Sequence, residues 1–342
     1  MFTHTYKSEI NEIKGIHQIK ITVPFPVKFV CIYIFQVDDS YVMFDAGLDM
    51  GTWSKKFFSA LEKIGISLKQ IDYCFISHEH TDHTGLMKNF KEINPNIKIM
   101  MSEAAYETLK WETDPKNYDQ LEEEAKKMAR EVIKYGIDEE QGKRLVDWFT
   151  MWPKMRRYHE PDILLHDGDE ISFKSNKLKV IWTPGHALGH ICVFDQKKRY
   201  LFSGDHILSR ITPHIGNFLV DPKLNEKYDF EDILKHYLKS LDRIDELNPK
   251  IIFPAHQDII YNPHERIQEI KKHHDNRLAE ISRVIKNNPL TPYKISQLHF
   301  GDDLDDMNSF LALGEVMGHL IYLENLGQVK RIEKNNKILF VS

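Results

Sequence analysis

Four side chains of metal-binding type fall within six residues: His78, His80, Asp82 and His83, in the run SHEHTDHTG at 77–85. The run follows an apolar segment, 71–76 (IDYCFI), that reads as a strand. His78 and His80 are two apart, so in an extended segment they point the same way. Asp82 and His83 come after the chain has begun to turn and approach from another side. A single loop histidine is usually just solvated. Four ligand-type groups directly after a buried strand instead converge on one volume. Three imidazoles and a carboxylate suit a borderline divalent cation such as zinc.

Three further segments share this texture. TPGHALGH at 183–190 follows a strand and offers His186. SGDH at 203–206 places Asp205 in a turn after another strand, and PAH at 254–256 places His256 after a third. In an α/β sandwich, loops after the strands gather into a site. Five His and two Asp are too many for one tetrahedral zinc. They suit two metals that share one carboxylate. No Cys joins the set, so iron or manganese remains an alternative to zinc.

The elements that must position these groups read as strands at 16–23, 29–37, 41–45, 71–76 and 97–101, with helices at 52–65 and 85–92. Residues 103–160 carry helical spacing, three of the five Trp and no strand signal, so they read as a helical insertion. Their aromatics are expected to be core residues of a helical hairpin more often than pocket walls. Strands resume at 163–165, 171–173, 178–183, 191–195, 199–203 and 251–253, with a helix at 229–247. From about residue 262 the texture changes. Helices at 263–287, 291–298 and 308–326 precede strands at 328–332 and 337–341 joined at Asn335–Asn336, the order of a winged helix. The division expected is a catalytic domain at 1–262 and a winged-helix-like domain at 263–342.

The 342 residues are 42% hydrophobic and 28% charged, ordinary for a globular chain. Lys+Arg is 46 against Asp+Glu of 51, so nothing in the overall charge favours nucleic acid or an anionic membrane. Residues 265–342 hold 11 basic and 11 acidic residues, including the run Asp302-Asp303-Leu304-Asp305-Asp306. Nucleic acid is therefore disfavoured as a partner, though not excluded. Three Cys in apolar runs, no export leader and no membrane-length apolar segment lead to the expectation of a cytoplasmic protein without membrane attachment.

Taken together, HxHxDH (His78, His80, Asp82, His83) followed by His186, Asp205 and His256 resembles the metallo-β-lactamase superfamily over residues 16–260. The tail resembles one branch of it, through Arg266-Ile267, the pair His273-His274 and GHLIYLENLG in the 308–326 helix. That branch usually has PGH where this chain has Pro254-Ala255-His256. The resemblance implies an αβ/βα four-layer sandwich with a dinuclear site at one edge. It implies that His78, His80 and His186 hold one metal, that Asp82, His83 and His256 hold the other, and that Asp205 bridges. It leaves His190 and His206 without a ligand role, and it makes Asp45, in the FDAG turn, a brace for the ligand loops.

A dinuclear centre of this kind lowers the pKa of a shared water toward about 7 and stabilises charge on the substrate oxygen. Asp82 is then the candidate to orient the water or carry a proton. The expected activity is hydrolysis of an ester, thioester or lactone of a small molecule by hydroxide held between the metals. A phosphodiesterase or endoribonuclease is the alternative, and a non-catalytic metal-bound regulator a weaker third. The winged helix is expected to pack or dimerise, so a homodimer is among the expectations. His214, in ITPHIG, is as readily a satisfied loop histidine as a site residue.

Overall fold

β1 (Ser8–Ile13), β2 (Ile16–Thr22), β3 (Phe29–Val37) and β4 (Ser40–Phe44) form an antiparallel meander. This arrangement comes from a computed structural model that describes residues 5–216, 221–286 and 288–342. β5 (Ile71–Ile76), β6 (Lys98–Ser102) and β7 (Ile163–Leu165) add parallel to β4 and complete a seven-stranded sheet in sequence order. The helix Trp53–Lys63 connects β4 to β5 and buries Trp53, Phe57, Ala60 and Leu61, which recur at three- and four-residue intervals on one face.

The second sheet has the order β12-β11-β10-β9-β8. Its strands are β8 (Glu170–Ser172), β9 (Lys177–Trp182), β10 (Ile191–Asp195), β11 (Tyr200–Gly204) and β12 (Ile251–Pro254). β11 and β12 are parallel and the other pairs antiparallel. Inward residues of both sheets make one core. Phe35 stacks on Phe202 with centroids 4.5 Å apart, and Tyr33, Phe44 and Phe253 surround the same ring. The two sheets are thus packed face to face, each supplying alternate residues to the layer between them.

These sheets lie in a unit built from residues up to Glu107, Arg156–Pro213 and Asp242–Ile267. A second unit comprises Thr108–Met155, His214–Leu241 and Gln268–Ser342. The helices Tyr118–Lys134 and Glu139–Met151 of the insertion share a core there with Pro263–Ile285, Pro292–Phe300 and Asp306–Asn325. Met128, Val132 and Leu145 meet Ile281, Phe310, Leu313 and Leu320 in that core. Thr291 caps one helix by accepting the Lys294 N–H, with Pro292 in the first turn, and Asp305 caps the next through Asn308. β13 (Lys330–Lys334) and β14 (Lys337–Val341) form a hairpin. Its turn residues Asn335 and Asn336 both have positive φ, which suits the twist of a two-residue connection.

Three local departures from the sequence reading have physical causes. β1, SEINEI, was not anticipated, because a largely exposed edge strand needs little apolar residue. The helix expected at 85–92 runs Met87–Ile93, and a separate, unexpected helical turn, Thr81–Thr84, precedes it, so Asp82 and His83 themselves sit in a helical turn. The helix expected from 229 starts at Ile233, where Asp232 accepts the Lys235 N–H. Among the described residues, no helix is long and apolar enough to cross a membrane.

Candidate metal centre

Every candidate ligand stands just beyond the C-terminal end of a strand in the first unit. His78 and His80 follow β5, His186 follows β9, Asp205 follows β11 and His256 follows β12. β9 and β11 both run antiparallel to β10, so β9, β11 and β12 share one direction and their C-terminal ends lie along one edge. β4 and β5 are parallel in the other sheet and deliver Asp45 and the His78 loop side by side.

The structure brings all seven candidates together in three overlapping groups: His78–His80–His186, His78–His83–Asp205 and Asp82–His83–His256. His80 Nδ1 lies 2.9 Å from His78 Nε2 and 3.0 Å from His186 Nε2. On the other side, His256 Nε2 is 3.6 Å from Asp82 Oδ2, and His83 Nε2 is 3.7 Å from Asp82 Oδ1. Asp205 stands between. Its Oδ2 is 3.4 Å from His186 Nε2, while its Oδ1 is 3.2 Å from His256 Nε2 and 3.7 Å from His83 Nε2.

Outer partners fix which nitrogen of each ring faces inward. His256 Nδ1–H donates to the Phe29 carbonyl at 2.6 Å, which leaves Nε2 as a lone pair. His83 Nδ1–H donates to Asp45 Oδ2 at 2.8 Å, which turns its Nε2 inward. Asp45 also accepts from the Ser77 amide at 2.8 Å and the Ser77 hydroxyl at 3.1 Å. Its backbone holds φ at 69°, a left-handed position that Asp tolerates better than most residues. Ser77 Oγ in turn lies 3.0 Å from His78 Nδ1. This is the outer-shell arrangement typical of metal-ligating histidines.

His190 has a role that its motif did not reveal. Its Nε2 accepts the Asp205 amide at 3.1 Å, so Nδ1 carries the proton and donates to Thr183 Oγ1 at 2.8 Å. The ring therefore ties the β9 end to the turn that carries Asp205. Gly204 makes this approach possible: a Cβ there would lie 2.7 Å from His190 Nε2. Gly189 lets the His186 loop pack against the helix after β6, since its Cβ would fall 2.1 Å from the Ala105 nitrogen. Arg156 donates to the carbonyl of Glu79, inside the HxHxDH run. The second Gly-His of TPGHALGH was the available sequence signal for His190. No local signal pointed to Arg156, Phe29 or Ser77.

Burial holds His78 and His80 well below the ordinary imidazole range, which favours the neutral form a metal ligand needs. Burial also opposes charge on His83, but Asp45, Asp82 and Asp205 outweigh it and raise that ring well above its usual value. Asp205 is buried too, yet His256 and His83 hold it well below the carboxylate range. Two buried atoms, His83 Nε2 and Asp205 Oδ1, have no hydrogen-bond partner. Unpaired polar atoms buried together cost free energy, and a metal ion between them, displacing any proton on Nε2, satisfies both. The donor set, inward lone pairs and orphaned atoms therefore fit metal ions.

The sequence pattern of the metallo-beta-lactamase superfamily matches residues 26–256, and that of the metallo-beta-lactamase-like C-terminal domain matches 278–340. The chain belongs to the metallo-beta-lactamase superfamily. It is 23% identical over 324 residues to the probable metallo-hydrolase YqjP of Bacillus subtilis, covering 94% of this chain and 96% of that one. It is 26% identical over 148 residues to the atrochrysone carboxyl ACP thioesterase of Aspergillus fumigatus, covering 41% and 42% of the two chains. The crystal structure of the metallo-beta-lactamase family protein TTHA1429 from Thermus thermophilus superposes with a TM-score of 0.76 at 22% identity, covering 96% of this chain and 99% of that one. That likeness establishes the fold.

Proposed function

We propose that this chain is a dinuclear metal-dependent hydrolase that opens an ester, thioester or lactone carbonyl of a small molecule. The observation that carries the reading is the placement of Asp205. One of its oxygens faces His186 beside His78 and His80, and the other faces His83 and His256. His78, His80 and His186 are assigned to one ion, Asp82, His83 and His256 to a second, and Asp205 to both. Zinc suits this nitrogen and oxygen set, with iron and manganese as alternatives. Bound metals would supply Lewis acidity and a water activated at neutral pH.

The rest of the reaction is assigned to the chain's own groups. Asp82 is the residue to hold or move the proton released as water attacks. Asp45 and the Phe29 carbonyl keep His83 and His256 in the tautomers that present Nε2. His190 and Thr183 hold the Asp205 turn. A carbonyl substrate is supported by the thioesterase among the relatives. The reading of 263–342 as a winged helix is supported by three helices followed by the β13–β14 hairpin. Its balanced charge supports a packing role over a grip on nucleic acid.

The test is elemental analysis of purified protein together with turnover on a thioester, a lactone, a phosphodiester and short RNA. About two metals per chain with turnover on a carbonyl substrate is the expected result. His80→Ala and Asp205→Ala should each lower bound metal and abolish turnover. Unchanged metal content and activity in both would sink the assignment. Cleavage of RNA alone would replace the carbonyl substrate with a phosphodiester.

A further inference from the structure

The second unit contains a buried polar cluster that the metal centre does not use. His274 and Arg277 lie three apart on the Pro263–Ile285 helix, so their side chains share a face. Glu315 and His319 lie four apart on the Asp306–Asn325 helix. His274 and His319 are fully buried, and Arg277 and Glu315 are each only 7% exposed. The partners are specific. His319 Nδ1–H donates to the Glu315 carbonyl at 2.7 Å, so its Nε2 is a lone pair, 3.0 Å from His274 Nδ1. Glu315 Oε2 accepts the Ile215 amide at 3.2 Å.

Two atoms are left over. His274 Nε2 and Arg277 Nη1 are buried and have no hydrogen-bond partner. Arg277 reaches only His273 Nε2, at 3.3 Å, and its guanidinium lies over the Phe300 ring at 4.7 Å. Among the described residues, no carboxylate forms an ion pair with it. Glu280, which faces His299 at 3.2 Å, and Glu315 are the acidic groups that act on it from a greater distance. A guanidinium cannot shed its proton, so burying it without a partner is strongly unfavourable.

We infer that this cluster is a binding site for an oxyanion, a carboxylate or a phosphate. One oxygen of the ligand accepts from Arg277 Nη1, and a second, protonated oxygen donates to the His274 Nε2 lone pair: the P–OH of a phosphate, or for a carboxylate a proton taken up from solvent on binding. A single ligand then satisfies both orphaned atoms, and a dihydrogen phosphate, which brings its own donor proton and keeps a negative charge, also neutralises the buried cation. His274, Glu315 and His319 have ligand-type atoms close enough for a metal ion. That alternative is weaker, because an ion among them leaves Arg277 Nη1 unpaired and adds positive charge near the guanidinium. A bridging water satisfies the hydrogen bonds but not the charge. This inference does not depend on the reaction assigned to the first unit.

The experiment is thermal unfolding of the full-length, metal-loaded protein in chloride buffer, with acetate or inorganic phosphate added at constant ionic strength. The wild-type Tm should rise with acetate if the site takes carboxylates, and with phosphate if it takes phosphates. Arg277→Met should bind the effective anion about 10-fold more weakly or worse. Without anion, Arg277→Met should melt higher than wild type, because it removes an unpaired buried charge. Anion binding at the metal centre would persist in Arg277→Met and so is separated from the cluster. A shift of equal size in both proteins, or none in wild type with either anion, overturns the inference. So does a loss of zinc in His319→Gln, which would give the cluster to a metal. If Arg277→Met does not fold, the ring nitrogen signals of 15N-histidine wild type decide. His274, assigned through His274→Gln, must move on titration with the effective anion.

Discussion

Replacing Asp45 by Asn separates the tautomer argument from mere shape. The carboxylate accepts three hydrogen bonds, from the Ser77 amide at 2.8 Å, the Ser77 hydroxyl at 3.1 Å and His83 Nδ1–H at 2.8 Å. Asn has the same shape, tolerates the backbone φ of 69° and still offers one oxygen to the Ser77 amide. Its NH2 group then confronts His83 Nδ1–H, donor against donor. The ring can resolve this by moving its proton to Nε2, the atom aimed at Asp82 and Asp205. A proton there blocks the ligand lone pair. Losing such an outer partner costs about 10–100-fold in metal affinity, which is about 1.4–2.8 kcal/mol. Losing a buried charge-assisted hydrogen bond costs about 1.5–3 kcal/mol of stability besides. The assay equilibrates wild type and Asp45→Asn with a chelator of known zinc affinity and then measures zinc per chain. On the two-ion assignment proposed above, at a chelator concentration where wild type keeps both ions the variant should keep about one, because His78, His80 and His186 do not depend on His83 Nε2. Equal retention of both ions by the two proteins would refute the reasoning.

Three further perturbations test the scaffold. Gly204→Ala places a methyl 2.7 Å from both His190 Nε2 and Ser77 Cβ at a φ of 49°. It should destabilise the protein by about 1–3 kcal/mol and weaken zinc retention, read by thermal unfolding and the same chelator assay. Phe202→Ala empties the centre of the aromatic layer between the sheets and should cost about 3–5 kcal/mol in urea unfolding, with metal content unchanged in the protein that remains folded. Asp162 resists charge through burial, but Lys91 and the Ile99 amide outweigh this and hold its carboxyl below the ordinary range. Its stabilising contribution is therefore complete above the unfolded carboxyl value, about pH 4, and is lost as pH falls through the lower folded value. Asp162→Asn should reduce stability at neutral pH, and the gap to wild type should narrow below about pH 4.

The seven candidate ligands were legible in the sequence because each follows a strand whose apolar run is itself legible. The pairing of His78 with His80 needs only extended backbone, and the turn that carries Asp82 and His83 needs only the next few residues. Strand ends at β9, β11 and β12 announced His186, Asp205 and His256 in the same way. Edge strand β1 was not legible, since exposure on most of its length removes the pattern that marks a strand. The partners that choose each tautomer lie far along the chain. Phe29 is 227 residues from His256, and Asp45 is 38 from His83. No local rule connects such pairs, and only packing of the two sheets brings them into register. The insertion shows the same limit. Its periodicity gave the helices, but Trp111 is buried while Trp148 is 49% exposed, and its core is shared with helices more than a hundred residues away. Residue type and spacing therefore determined which groups could bind metal. Tertiary structure decided which atom of each group faces inward, because a hydrogen bond to a distant partner, not the residue's own neighbours, places its proton. The pairing of His274 with His319, between two helices that sequence alone leaves independent, was decided at that level as well.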